Sequence, residues 1–401
     1  MGAPRSPFST AGTRKLAEMC RADVAVLTQR LMAAIFTDNP EWTDYTSVPR
    51  ANLRDGCRRY LTRILELLSG EATDPESDDV AASIGRHRAE QGVPLEAMLR
   101  TFRLGGRIVW EALLDNAETV DIEPHEIREA GTAMWMVIDG LSSALSTSYR
   151  NTELEQVRRD ERRRHALIED ILAGRAHDAT FAARAARELN LPAHGAYLVV
   201  VADTLPDGRS ALAGPETVLA ALQIRSVWHT RVDTMIGLVS LEQRDTSAVL
   251  RHLRPLTRGR AACSSAVPGL AEVGAGHSLA LIALDTLPTG STGLVSLDER
   301  YPEALLVRSP DLARLLLARS LGPVLELPPK DRDVLIQTLT AWLAENCSAA
   351  NAALHLHCHR NTVLNRLQRI AGLVGRPLDG QRAYLELSLA LSALKLPDRA
   401  V

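Results

Sequence analysis

The chain has 401 residues, more than one hydrophobic core normally organises, so two to three domains are expected. Hydrophobic residues make up 46% and aromatics only 4%, which leaves Leu, Ala and Val to fill the cores and favours helix. A net charge of −3 excludes a generic polyanion binder, so any nucleic-acid affinity has to come from a local patch.

Residues 13–37 put Leu16, Cys20, Val24, Leu27, Leu31 and Ile35 at helical spacing, a single apolar stripe. A second helix carries Leu53, Cys57, Leu61, Ile64 and Leu68 and stops at Gly70. After a polar break from Glu71 to Asp79, helices are expected near 80–91, 94–117 and 124–149, with Pro94 and Pro124 where helices begin. No strand signal precedes residue 190, so residues 1–150 read as an all-helical domain. Residues 151–175 continue as a charged connecting helix, with Arg158, Arg159, Arg162, Arg163 and Arg164 among acids. That basic run reads as a solvated face. Its apolar positions, Leu154, Val157, Leu167, Ile168 and Ile171, are too unevenly spaced for a long coiled coil.

The composition shifts after Pro192. Tyr197–Val201 and Met235–Val239 are β-branched runs, with weaker strand marks around 260–267 and 293–297. Helical patches lie near 215–223, 245–254 and 269–285, so 176–327 reads as an α/β domain. From Pro328 the pattern is helical to the end. Asp331 is placed to cap a helix bearing Leu335, Leu339, Trp342 and Leu343, and residues 381–395 form a last helix with Tyr384, Leu387, Leu391 and Leu394 on one face.

Between those two helices lies the segment richest in chemistry. Ser348 suits the N-cap of a short helix, Ala349 to His355, with Ala353 and Leu356 as its apolar anchors. A three-residue turn leads to a second helix, about His359 to Ala371, ending near Gly372. Two short helices joined by a tight turn make a helix-turn-helix. At 100° per residue, Val363, Leu367 and Ile370 share one arc with Leu364 at its edge. Asn361, Asn365 and Gln368 lie opposite, flanked by Thr362 and Arg369, where amides can pair with adenine N6 and N7. His359 and Arg360, at the helix start, and Arg366, on its flank, suit phosphates. From Asn346 to Leu378 there is no Asp or Glu, although Arg360, Arg366, Arg369 and Arg376 all fall there. This is the local basic patch that a near-neutral total conceals, and double-stranded DNA is the partner it implies.

The stretches Leu335–Leu339, Ala353-x-x-Leu356 and His359-Arg-Asn-Thr-Val-Leu-Asn-Arg-Leu367 resemble the C-terminal module of PucR-type regulators, which the sugar-diacid regulators (CdaR) share. Gly375-Arg-Pro-Leu378 and Leu387-Ser-Leu-Ala-Leu391 resemble the closing segment of that module. Carried over, the resemblance implies Arg360, Asn361, Thr362 and Arg366 as the DNA-facing set. Glu90–Glu96 followed by Trp110-Glu111 is similar to the helical N-terminal domain of RsbRD-type sensors, and the middle region to a degenerate GGDEF-like domain. The resemblance therefore implies a multidomain, mostly helical protein: a helical sensor and dimerisation domain over 1–150, a connecting helix, a GGDEF-like α/β domain over 176–327 and a helix-turn-helix domain over 328–401. Independently of the resemblance, one recognition helix contacts only about half a turn of major groove, so a homo-oligomer is expected, a two-fold dimer or a multiple of one, joined through Leu154, Val157, Leu167, Ile168 and Ile171 and the helical N-terminal domain. A small-molecule effector of unknown identity is the other partner expected. A working cyclase needs a glycine pair and adjacent acids on its hairpin, and Trp228–Ile236 has neither. The small residue usual in the family's turn is replaced by His357.

Two rival readings carry less weight. His355-Leu-His357-Cys-His359, with Cys347 nearby, offers good zinc or copper donors, but the run crosses a helix end, a turn and a helix start, so its side chains diverge. Gly208, Gly214, Gly274 and Gly276 form no phosphate-cradling motif, and Asp203 after a strand reads as a cap. No catalytic residue, cofactor or metal is expected, and a pure signalling scaffold would leave the basic helix unexplained. The five cysteines are scattered without a C-x2-C pair, which fits a reducing compartment. No apolar run reaches the roughly 20 residues a membrane span needs, and Met1–Pro7 lacks a hydrophobic signal core, so the expected location is the cytoplasm.

Overall fold

The computed structural model describes residues 10–38, 40–45, 47–70 and 79–397. The N-terminal Met1–Pro7 segment and most of the polar break, 71–78, lie outside the described residues. The chain divides into two compact units, residues 1–162 and 163–401.

The first unit is helical. It comprises α1 (Ala11–Ala22), α2 (Val24–Asp38), α3 (Arg50–Ser69), α4 (Val80–Glu90), α5 (Leu95–Ala117) and the first part of α6 (Pro124–Leu172). The stripe over 13–37 is two helices rather than one, because the backbone turns at Asp23. Leu16, Leu31, Ile35, Leu61, Ile64, Leu113 and Leu145 are buried together, each contributing about 1.5–3 kcal/mol by leaving water. Tyr60 stacks on Phe102 at 4.0 Å and donates its hydroxyl hydrogen to the Phe102 carbonyl at 2.9 Å. Gly105 makes room for that ring, since a Cβ there would come within 2.6 Å of it. α3 ends where expected, with Gly70 in the left-handed region at φ 72°.

No helix end separates 124–149 from the connecting segment: α6 is one helix of 49 residues. Neither Gly nor Pro interrupts it near residue 150, so nothing in the sequence stops it.

The second unit contains a five-stranded sheet in the order β2-β3-β1-β4-β5, formed by β1 (Ala196–Asp203), β2 (Ser226–Thr230), β3 (Thr234–Glu242), β4 (Arg260–Cys263) and β5 (Gly293–Ser296). All pairings are antiparallel except β4 with β5. β1 lies at the centre with both faces covered, which is why it reads as an unbroken apolar run. Tyr197, Val199 and Val201 pack against α6 residues Leu167, Ile168 and Ile171, α7 (Ala179–Glu188) and α10 (Val273–Asp285). Leu198, Val200 and Ala202 pack on the other face against α8 (Pro215–Ala221) and α9 (Thr246–Leu253). Three of the five apolar positions of the connecting helix thus belong to this core, while Leu154 and Val157 are exposed.

Four further helices join α11 (Tyr301–Arg308): α12 (Pro310–Leu325), α13 (Pro329–Ala344), α14 (Ala349–His355) and α15 (Arg360–Val374), with α16 (Gln381–Ala393) closing the layer. The residue spacing predicts none of α7, α11 and α12. Leu321 and Val324 of α12 share one core with Leu335, Leu339, Trp342, Val363, Ile370 and Leu387, so the C-terminal packing begins upstream of residue 328. Among the described residues no helix is long and apolar enough to cross a membrane.

Candidate nucleic-acid interface

α14 and α15 are set by their ends. The Ser348 hydroxyl accepts the Asn351 N–H at 3.3 Å, starting α14 as expected. Its C-terminus is closed by two backbone bonds, Cys358 N–H to the Ala353 carbonyl and His357 N–H to the Leu354 carbonyl. That pair is the Schellman arrangement, which needs one left-handed residue. The residue is His357, at φ 50°. A histidine there carries a Cβ that glycine would avoid. His359 then caps α15, its imidazole Nδ1 accepting the Asn361 N–H at 3.2 Å. α15 runs past Gly372 to Val374 and ends on Gly375 at φ 72°, because the left-handed terminator lies there.

Burial follows the helical wheel. Val363, Leu367 and Ile370 are buried in the C-terminal core, whereas Asn361, Asn365, Gln368, Arg360 and Arg369 are exposed and Thr362 is half-buried. The structure brings His359, Arg360, Asn361, Asn365, Gln368 and Arg369 to the solvent side of one helix. The arrangement can offer amides, a guanidinium and the positive end of the helix dipole to a ligand, although His359 already takes the Asn361, Thr362 and Val363 N–H groups.

Three arginines are less free than the acid-free segment suggests. Arg369 pairs with Asp331 of α13 at 2.7 Å. Arg376 is bonded to Glu386 of α16 and donates to the Ser320 hydroxyl at 3.1 Å. Arg366 is half-buried and donates to Thr338, a fully buried hydroxyl, at 3.2 Å. Arg360 alone of the four has no hydrogen bond or ion pair among the described residues. Asp331 is also not a cap: α13 starts from Pro328, and the carboxylate in its first turn is turned to Arg369 instead. No signal in the sequence links positions 38 residues apart. A census of acids within a contiguous segment misses them.

The histidine-rich run does not converge. His359 spends one ring nitrogen on its cap, His357 occupies the turn and His355 ends α14. Among the described residues no group of three or more His, Cys, Asp or Glu side chains is placed to hold a metal. In the middle domain the β2–β3 hairpin tip, Thr230-Arg231-Val232-Asp233-Thr234, carries neither glycine nor paired acids. Arg231 is instead clamped on Glu169 of α6 at 2.6 and 2.8 Å, and His229 reaches the same carboxylate at 2.7 Å. The Arg231 guanidinium, then the His229 ring, hold that carboxyl below the usual range.

Family models match three stretches of the chain: the RsbT co-antagonist protein rsbRD N-terminal domain over residues 25–164, the GGDEF-like domain over 173–286 and the PucR C-terminal helix-turn-helix domain over 335–393. The purine catabolism regulatory protein of Bacillus subtilis (strain 168) is 32% identical over 94 residues, 22% of this chain. The chain spans only 18% of that relative's length. An uncharacterized protein in the pkwA 5' region of Thermomonospora curvata is 33% identical over 139 residues, covering 34% of this chain and 74% of that protein. A crystal structure of a regulator of polyketide synthase expression from Bifidobacterium adolescentis aligns with 57% of this chain and 91% of its own at 22% identity. Its TM-score of 0.30 is too low to establish a shared arrangement. The chain thus carries, in order, an rsbRD-type N-terminal domain, a GGDEF-like domain and a PucR-type C-terminal helix-turn-helix domain.

Proposed function

We propose that the protein is a transcriptional regulator that binds double-stranded DNA in the cytoplasm, with α15 in the major groove. The observation that carries this reading is the exposed amide row Asn361, Asn365 and Gln368 directly opposite the buried Val363, Leu367 and Ile370. Amide side chains on an exposed recognition helix suit base edges. Arg360 and the α15 N-terminus suit the phosphate beside them. Arg366 acts chiefly by tying α15 to Thr338, with its charge toward the backbone as a second role. Arg369 contributes only after release from Asp331. One recognition helix spans about half a turn of groove, so the working species is a homodimer on a two-fold site. The regulator of Bacillus subtilis, named for purine catabolism, and the rsbRD-type domain support a signal-responsive protein whose effector acts on residues 1–327. The bare hairpin tip supports a GGDEF-like domain without cyclase activity.

Genome-wide mapping of DNA bound by the intact chain tests the reading. Discrete sites are expected, and they should vanish when Asn361, Asn365 and Gln368 are all changed to Ala. A map without discrete sites, or one the triple variant leaves unchanged, contradicts it.

A further inference from the structure

On α6 the residues Met136, Gly140, Ser143, Thr147, Leu154 and Val157 follow alternating steps of four and three, with Arg150 completing the series, and every one is exposed. Steps of four and three keep one line of side chains on a single helix edge over about three heptads, roughly 33 Å. Val157 is 56%, Leu154 54% and Met136 49% exposed. Leaving large apolar side chains in water at both ends of one straight edge costs free energy that a partner would recover. Between them Gly140, Ser143 and Thr147 are small enough for another helix to come close.

We infer that this edge is the seam of a parallel homodimer in which α6 of a second copy packs along it in register. The inference rests on the dimeric regulator proposed above and names its contact. Charge decides the partner and its direction. In parallel register Glu153 of one helix faces Arg158 of the other, the five-residue offset at which flanking charges meet in a two-stranded pair. Among the described residues neither forms an ion pair within its own chain, although Glu153 lies against the Tyr149 hydroxyl, and Arg163 is bonded to Glu188 instead. Antiparallel packing about Ser146 would set Asp139 against Glu153, two like charges. Arg150 lies on the seam, and its long side chain can carry the charge out to the solvent edge near Glu153. A seam with so few large apolar residues makes a reversible dimer rather than a permanent one. Such an edge also explains why the apolar spacing along the connecting helix is irregular: Leu167, Ile168 and Ile171 serve the sheet core, and only Leu154 and Val157 serve the seam.

The full chain, without DNA, tests this by sedimentation velocity and by cross-linking, with far-UV circular dichroism to show that each variant keeps its helix. A concentration-dependent dimer is expected. E153R and R158E should each weaken it about tenfold, and the double variant E153R/R158E should restore it. Under mild oxidation Ser143→Cys should form a disulfide-linked dimer, while Glu155→Cys, off the seam, should not. A monomer at tens of micromolar, reversals without effect, or a dimer that Ser143→Cys fails to cross-link would overturn the inference. Because no DNA is present, failure of the DNA-binding reading leaves this result standing, and the converse holds.

Discussion

Arg369 on α15 and Asp331 on α13 form an ion pair of 2.7 Å with both side chains about half exposed. The pair places a carboxylate from outside the basic segment beside the face proposed to meet DNA. Exposed pairs of this kind are worth about 0–1 kcal/mol, so a phosphate can compete for the guanidinium. On the proposed reading, Asp331 would therefore moderate affinity for DNA without abolishing it.

Asp331→Asn should release Arg369 and remove a charge that repels phosphate. Binding to any duplex should tighten, and the plot of log affinity against log salt should steepen by about 0.9 for the added phosphate contact. Fluorescence anisotropy at several salt concentrations measures both. An unchanged slope would place Arg369 away from the backbone.

His357 holds the left-handed position of the turn at φ 50°. His357→Gly should relieve the Cβ contact and stabilise the C-terminal module by up to about 1 kcal/mol, net of the extra freedom glycine has when unfolded. Denaturant unfolding measures it. A loss of stability would mean that the imidazole makes a contact worth more than the strain.

Glu386 is held by Arg376 first and then by Arg382, and its carboxyl is pushed down to about 2. A carboxyl lowered in the fold adds stability above its unfolded range, near 4.3, and loses it as pH falls toward the folded value. Acid unfolding followed by near-UV circular dichroism should therefore show a loss between about pH 4 and pH 2 that Glu386→Gln lacks. Identical acid profiles for the two proteins would sink this assignment.

With GTP and a divalent cation the protein should form no cyclic dinucleotide, because the hairpin tip offers no glycine pair to admit a nucleotide and no paired acids to hold metal. Chromatography of the reaction against a protein-free blank decides it, and any product above the blank contradicts the expectation.

Much of this architecture is visible in residue spacing. The wheel that separates Val363, Leu367 and Ile370 from Asn361, Asn365 and Gln368 depends only on the 3.6-residue turn, and burial follows it. β1 and β3 are visible because both faces of each are buried, which forces continuous apolar runs. What escapes is long-range or locally ambiguous. The Asp331–Arg369 and Glu386–Arg376 pairs join separate helices, so no local pattern carries them. In α12, Leu312 and Leu315 remain exposed beside buried Leu321 and Val324, which blurs the amphipathic signal over 310–325. At Asp23 a short turn divides two helices whose apolar stripe runs on unbroken.

The most direct test is a titration of the full chain on a duplex recovered by selection from random sequence, beside a scrambled duplex of the same length. The wild-type protein should prefer the selected site by at least about a thousandfold. Asn365→Ala should lose about 1–3 kcal/mol of that preference at a single base pair while binding the scrambled duplex as before. Equal affinity for both duplexes, or a preference that Asn365→Ala leaves intact, would contradict α15 as the element that reads DNA.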